Sequence, residues 1–417
     1  MKPSSRNKNI QLLYLEPYTF SVVAGNDTLI YNSLNGKILE YRDSSFITEV
    51  IRKTEDAGCG FLAEIDLKTV SKDVSSLIND LRETFSGDLL TSVYDQKPSV
   101  VRPKPVINNY PPAKDFPSFS VDDYLRNIYF FLNEDNNTLC TDYSNAANQF
   151  FCPVYNSSGY NEMPFATVFD ASSMYAGMND IALDLSGSDL TRYSEINDML
   201  AQINKLLLPV NFHLPLPCRN DDKVWKMLQV RNSRISFYVT FPDGLSALDE
   251  ILKNSGFDKK RKKIDISFLV QSLEEYRIIT EFMQGYQQLK VFFLPYFNGS
   301  NTEFFEENVF LAKNDILNLK PDQQQIFSRS LINEQLFGKL YINTRGEAYT
   351  NLNGNPVGNI YNQNISDLVR NELYNGQTWS LTRMKVKPCS DCLYKLFCPP
   401  VGYYELFMKK FNFCDVL

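Results

Sequence analysis

Apolar residues recur along this chain with two periods, and the switching between them outlines an architecture. Tyr18–Ala24 and Asp27–Asn32 alternate apolar and polar positions and are joined by Gly25-Asn26. Lys37–Tyr41 follows Asn35-Gly36, a dipeptide suited to the left-handed conformations of a tight hairpin. Phe46–Lys53 reads as helix, and Lys72–Phe85 sets Val74, Leu77, Ile78, Leu81 and Phe85 at helical spacing. Together these predict a small α/β unit over residues 1–95. Residues 96–121 hold Pro98, Pro103, Pro105, Pro111, Pro112 and Pro117. Proline removes main-chain donors and favours extended chain, so this stretch reads as a linker.

Residues 122–335 alternate strand and helix. The strands are expected at Ile128–Leu132, Phe165–Asp170, Ile181–Leu185, Pro209–Leu214, Ile235–Phe241, Ile264–Val270 and Leu289–Tyr296. Helices are expected at Tyr193–Leu206, Lys223–Val230, Gly244–Asn254 and Ser272–Tyr286. Repeated β-then-α order implies parallel strands with right-handed crossovers, hence a TIM-like (β/α) barrel or part of one. From residue 336 the pattern breaks. Leu340–Asn343, the Thr344-Arg345-Gly346 turn and Ala348–Thr350 read as a hairpin, and Ile365–Leu373 as a short helix.

At 417 residues the chain has room for about two or three domains and can bury a core without staples. Its net charge of −7 argues against a nucleic-acid partner, which requires a basic face. The one dense basic run, Lys259–Lys263, lies between a helix and a strand and reads as a solvated turn. No apolar stretch follows Met1–Arg6, and no run approaches about 18 apolar residues. Neither a signal peptide nor a membrane span is therefore expected, and the compartment should be cytoplasmic and reducing.

In that setting the cysteines change the picture. Cys59, Cys140, Cys152 and Cys218 are scattered, but Cys389-Ser-Asp-Cys392-Leu-Tyr-Lys-Leu-Phe-Cys398 and Cys414 are clustered. A Cys-x2-Cys turn aims two thiolates at one point, and two more can complete a tetrahedral set suited to zinc or iron–sulfur. Arg383, Lys385 and Lys387 beside them read as ordinary exposed charges. His213 is the only histidine and reads as a packed or hydrogen-bonded side chain rather than a general base. With no Gly-x-Ser-x-Gly elbow and no phosphate-binding glycine loop, hydrolase and NTPase readings lack support.

The tail also carries a resemblance. Leu340-Tyr-Ile-Asn-Thr-Arg-Gly346-Glu-Ala-Tyr-Thr-Asn351, then Val357-Gly-Asn-Ile360, then the cysteine run, resembles the SPASM extension of radical SAM peptide maturases. In that family a Gly-x4-Cys hairpin precedes the cysteine run, and two auxiliary clusters are held. Asn351 and Gly402 stand here at two of the family's cysteine positions. Cys389, Cys392, Cys398 and Cys414 match the ligands of the outer cluster alone. The resemblance extends to a radical SAM core, in which Cys-x3-Cys-x2-Cys follows the first strand. This chain has Asn136, Cys140 and Tyr143 at those positions. One thiolate cannot hold a cluster that needs three. The family's Gly-Gly-Glu motif corresponds to Ser186-Gly187-Ser188-Asp189, a degenerate version. The first unit resembles a winged-helix-like precursor-peptide recognition element, a three-stranded sheet followed by three helices. It implies strand addition along Lys37, Ile38, Leu39, Glu40 and Tyr41, beside the Ser71–Arg82 helix, with apolar pockets between the two supplying specificity.

Taken whole, the chain resembles the pseudo-radical-SAM proteins of Bacteroidales-type peptide-modification (RiPP) systems. The implied fold is α/β, a partial TIM-like barrel over 122–335 with a SPASM-like metal-binding domain over 336–417. The implied function is a non-catalytic adaptor that binds a ribosomal precursor peptide and pairs, as a hetero-oligomer, with an active radical SAM maturase. It implies one 4Fe–4S cluster, with zinc as the alternative, and no functional S-adenosylmethionine site. Two other readings stay open: an oxidoreductase or electron-relay subunit using that cluster, and a zinc-stabilised regulatory protein.

Overall fold

Residues 10–56, 63–91, 120–134, 143, 145–150, 160–216, 221–253, 263–286 and 288–416 are described in a computed structural model. The first unit contains β1 (Ile10–Leu15), β2 (Thr19–Ala24), β3 (Asp27–Asn32), β4 (Ile38–Tyr41), α1 (Ser45–Asp56), β5 (Ala63–Asp66), α2 (Lys72–Glu83) and β6 (Gly87–Thr91). They form two antiparallel three-stranded sheets, ordered β5-β1-β6 and β2-β3-β4. The expected single sheet with three helices is thus replaced, among the described residues, by two sheets and two helices. In α2 the Ser71 hydroxyl caps the first turn by accepting from Val74 N–H at 3.3 Å. Its apolar stripe, Val74, Leu77, Ile78 and Leu81, is buried against Ile47 and Ile51 of α1 and Leu13 and Leu15 of β1.

The central sheet is built from β7 (Asn127–Phe131), β10 (Ala182–Ser186), β11 (Val210–Leu216), β12 (Ser233–Val239), β13 (Ile264–Val270) and β14 (Lys290–Pro295), all parallel and adjacent in chain order. A two-residue pair, β8 (Asn133–Glu134) and β9 (Asn161–Glu162), and a short helix, α3 (Ala146–Gln149), fall between β7 and α4 (Phe165–Ser173). Helices α5 (Ile196–Gln202), α6 (Asp221–Met227), α7 (Asp243–Lys253) and α8 (Leu273–Met283) alternate with the later strands. The residues predicted as a strand over Phe165–Asp170 form α4 instead. Phe165, Val168 and Ser172 are buried at helical spacing, and a short apolar run does not distinguish the two periods.

Strand alternation divides this sheet into two faces. Phe130, Leu185, Phe212, Phe237 and Phe268 point into the main helix-backed core. Tyr129, Asp184, His213 and Tyr238 occupy the alternate positions, on the opposite face. The tail continues the same sheet. β15 (Lys339–Ile342) runs parallel to β7 with Lys339 opposite Asn127, and β16 (Glu347–Tyr349) and β17 (Gly358–Asn359) add antiparallel strands. The full order is β14-β13-β12-β11-β10-β7-β15-β16-β17. Among the described residues it is a mixed, mostly parallel sheet with edges at β14 and β17 that does not close into a barrel.

Three helices, α9 (Thr302–Asn308), α10 (Lys313–Asn318) and α11 (Gln323–Leu331), lead into the tail, which adds α12 (Ile365–Asn375) and α13 (Tyr403–Met408). Among the described residues no helix is long and apolar enough to cross a membrane.

Candidate metal centre and peptide-binding edge

The tail is positioned by specific anchors. Gly346, at φ +75°, closes the β15–β16 turn under the Tyr361 ring, which a Cβ would meet at 2.6 Å. Trp379 is fully buried, and its main-chain N–H donates to Glu372 Oε1 at 2.8 Å. The other carboxylate oxygen of Glu372 accepts from Thr350 Oγ1 at 2.9 Å, tying α12 to the hairpin. A single 3-10 turn, Cys389–Asp391, then brings Cys392 back, with Cys392 N–H donating to Cys389 C=O at 3.0 Å. Cys414 arrives from the chain end because its segment pairs with Leu311: Leu311 N–H donates to Phe413 C=O at 3.0 Å.

Cys389, Cys392, Cys398 and Cys414 are all free thiols, the first two buried and the others half-buried. Burial pushes the Cys389 and Cys392 thiols up, and nearby Cys414 raises both further. Cys398 is pushed up to about 12, chiefly by burial, with added contributions from Cys392, Cys389 and Cys414. Each branch also keeps its own hydrogen bonds. Cys389 Sγ donates to Phe411 C=O at 2.8 Å, and Tyr394 N–H donates to Cys392 Sγ at 3.3 Å. As placed, no group of three or more His, Cys, Asp or Glu among the described residues is arranged to hold a metal ion. The donor chemistry fits a soft metal or a cluster: four thiols, two of them buried, with an N–H already directed at sulfur.

Arg383 departs from expectation. It is 8% exposed, not an ordinary surface charge. Its guanidinium donates to both oxygens of buried Glu405, at 2.5 and 2.8 Å, to Phe411 C=O at 2.7 Å and to Pro399 C=O at 2.9 Å. It also stands 3.7 Å from Cys389 Sγ. Charge-run reasoning missed it because Glu405 is remote in sequence. Lys387 is exposed and paired with Asp391, as anticipated for a surface charge.

The other candidate cofactor position looks different. Asn136 and Cys140 lie outside the described residues, as do Cys59, Cys152 and Cys218. Tyr143 is buried, its ring 5.0 Å from that of Tyr296, in a cluster with Phe150, Tyr238 and Leu269. Ser186–Asp189 forms a turn and a cap. Asp189 Oδ1 accepts from Thr191 N–H at 2.9 Å and Thr191 Oγ1 at 2.6 Å. Gly187 is required because a Cβ would meet Asn133 Oδ1 at 2.0 Å.

His213 is hydrogen-bonded as expected, its Nε2 2.8 Å from Asp184 Oδ1 and its Nδ1 3.1 Å from the Tyr238 hydroxyl. Asp184 also accepts from Asn127 at 2.8 Å and Asn211 at 3.0 Å, a network spanning four adjacent strands that sequence reasoning did not anticipate. The available signal was polar residues at alternate positions of otherwise apolar strands.

In the first unit, β4 pairs with β3 and, among the described residues, with no other strand. Asn32 N–H donates to Lys37 C=O at 3.0 Å, and Ile30 stands opposite Leu39. Antiparallel alternation then turns the main chains of Leu39 and Tyr41 toward β3, and those of Ile38 and Glu40 outward. Among the described residues no strand pairs with that outer edge. The side chains split by face. Leu39 and Tyr41 pack on the α1/α2 core, with the Tyr41 hydroxyl 2.7 Å from Asp80. Ile38 packs on the tail cluster, and Lys37 is exposed. The apolar pocket expected between this edge and α2 is not built as anticipated. The apolar residues of α2 are buried in its own core, and Lys72, Asp73, Ser76 and Asn79 face out.

No family model matches the chain, and no curated protein matches it. Among solved structures it is similar to SuiB of Streptococcus suis, at 12% identity over 100% of both chains with a TM-score of 0.45. It is also similar to Streptococcus suis SuiB bound to S-adenosylmethionine, at 11% identity over 97% of this chain and 99% of that one, with a TM-score of 0.42. Both scores lie below 0.5, too low for either likeness to bear on chemistry.

Proposed function

We propose that this chain is a non-catalytic adaptor of the pseudo-radical-SAM type, which binds a ribosomal precursor peptide and works in a hetero-oligomer with an active radical SAM maturase. In this reading residues 1–95 recognise peptide and 96–121 form a linker. Residues 122–335 are a degenerate partial barrel that serves as scaffold, and 336–417 are a SPASM-like metal-binding domain. Cys389, Cys392, Cys398 and Cys414 would hold one 4Fe–4S cluster, with zinc as the alternative. A thiolate-bound centre supplies a cross-link that clamps the tail, and iron–sulfur adds redox capacity.

The observation that carries the non-catalytic half is Tyr143. A phenol packed among rings stands where the resemblance requires a cluster-binding thiolate, and it donates no such ligand. The peptide half rests on β4, whose outward N–H and C=O groups at Ile38 and Glu40 an extended chain can satisfy.

The test is to incubate anaerobically reconstituted full-length protein, free of maturase, with S-adenosylmethionine and a strong reductant. No 5′-deoxyadenosine should form. Its appearance would overturn the reading.

A further inference from the structure

We infer that metal loading at the four cysteines and ordering of the β4 edge are coupled, through Tyr394 and Lys313. The inference rests on the metal-site reading and gives that site a regulatory role over peptide capture.

The geometry converges on one atom. Glu40 is one of the two β4 residues whose main chain faces outward, and its side chain crosses to the tail. The Tyr394 hydroxyl donates to Glu40 Oε1 at 2.8 Å. Tyr394 stands two residues after Cys392, and its own N–H donates to that cysteine's sulfur at 3.3 Å. Lys313 Nζ reaches the same Glu40 oxygen at 3.2 Å. Lys313 in turn is held by the Cys414 segment, its N–H donating to Asp415 Oδ1 at 3.0 Å. The Lys313 ammonium also lies 5.1 Å from the centre of the Tyr394 ring. The Cys392 branch and the Cys414 branch thus end on a single carboxylate oxygen of the edge strand. Burial pushes this carboxyl up, yet hydrogen bonds from Tyr394, Arg42 and Lys313 hold it below its ordinary value.

Before loading, Cys389 and Cys392 keep their own hydrogen bonds, and the two branches meet through the side chains of Tyr394, Lys313 and Glu40. Binding of one metal centre by both Cys392 and Cys414 fixes their separation. That removes freedom from Tyr394 and Lys313, and through them from Glu40 and β4. A strand already ordered gives up less entropy when a peptide pairs with it. Linkage makes the effect reciprocal, so what stabilises β4 also raises metal affinity.

The experiment uses full-length protein and zinc ion as probe. Hydrogen–deuterium exchange is followed over residues 37–42 with and without one equivalent of zinc, in wild type, Tyr394→Phe and Glu40→Gln. Zinc affinity is measured in the same three proteins by chelator competition. Loading should slow exchange over 37–42 by on the order of 5-fold or more, the lower range of measured couplings. Both variants should lose most of that protection and bind zinc correspondingly more weakly, although neither residue is a ligand. Thiol-dependent zinc binding with unchanged exchange over 37–42 would overturn the coupling and leave the metal site standing. Absence of thiol-dependent binding both of zinc and of a cluster reconstituted from iron and sulfide would overturn both.

Discussion

Two regions of this molecule occupy positions where cysteines could hold a cofactor, and they have been built in opposite ways. At the first, beyond β7, Tyr143 is closed into a cluster of rings with Tyr296, Phe150 and Tyr238. At the second, the tail holds four free thiols, one of them, Cys389, 3.7 Å from a buried guanidinium whose donors reach a carboxylate and main-chain carbonyls. A packed phenol gains stability from apolar contact and needs nothing more. Neutral thiols also gain from apolar burial, but they lie beside a buried ion pair, Arg383–Glu405, whose desolvation is costly. The difference is that Tyr143 offers only a packed ring, whereas the tail cysteines, packed in apolar clusters as well, keep sulfur donors that a soft metal could use.

The comparison can be broken most sharply at the thiols. Serine at Cys392 or Cys398 should take bound metal from one centre per chain to essentially none, because a hydroxyl does not replace a thiolate toward a soft ion. Metal analysis after gel filtration checks it, and Tyr143→Phe should leave the content unchanged. Next in size is Arg383→Ala, which strands buried Glu405 and should cost about 3–5 kcal/mol in chemical denaturation. Arg383→Lys should recover only part of this, since one ammonium cannot reproduce the fork that grips both oxygens. Tyr143→Ala should cost about 3 kcal/mol through loss of aromatic packing, with no effect on metal content.

A smaller contrast separates two neighbours on β4. Leu39→Pro removes a donor directed at β3 and should lower stability by about 1–3 kcal/mol. Ile38→Pro removes a donor directed outward, so it should weaken peptide capture more than it weakens folding. Calorimetry with the system's precursor peptide, beside denaturation of both variants, separates the two effects.

The pH dependence is the mildest test. Burial raises the thiol pKa values of Cys389, Cys392 and Cys398 in the folded chain. Their neutral forms therefore favour folding of the metal-free protein below the unfolded thiol value of about 8.5. That contribution should fade as pH rises through the folded values, Cys398 last at about 12. Loaded protein, with its thiolates bound, should not show this decline, and metal uptake should release protons. Melting curves across alkaline pH, with and without metal, test it.

Much of this was legible in the chain, for physical reasons. β3 and β13 lie where alternation and turn residues place them, at Asp27–Asn32 and Ile264–Val270. β1 escaped because Leu12 and Leu13, on opposite faces, are both buried, leaving no alternation to read. α4 was misread because Phe165-Ala-Thr-Val-Phe169 is apolar enough for either period. The Cys-x2-Cys turn was visible as spacing. The route of Cys414 was not, since it depends on pairing with Leu311 about a hundred residues earlier. Nor was the role of Glu40, which follows from tertiary contact with Tyr394 and Lys313. That Ile38 and Leu39 serve opposite faces could have been read from strand alternation alone.

The central claim is that cofactor chemistry survives in the tail and not beyond β7. Counting iron and acid-labile sulfide per chain after anaerobic reconstitution tests it most directly. The account predicts about four of each, one 4Fe–4S cluster, abolished by Cys392→Ser. About eight of each, with half retained in Cys392→Ser, would place a second cluster in the barrel and contradict the claim.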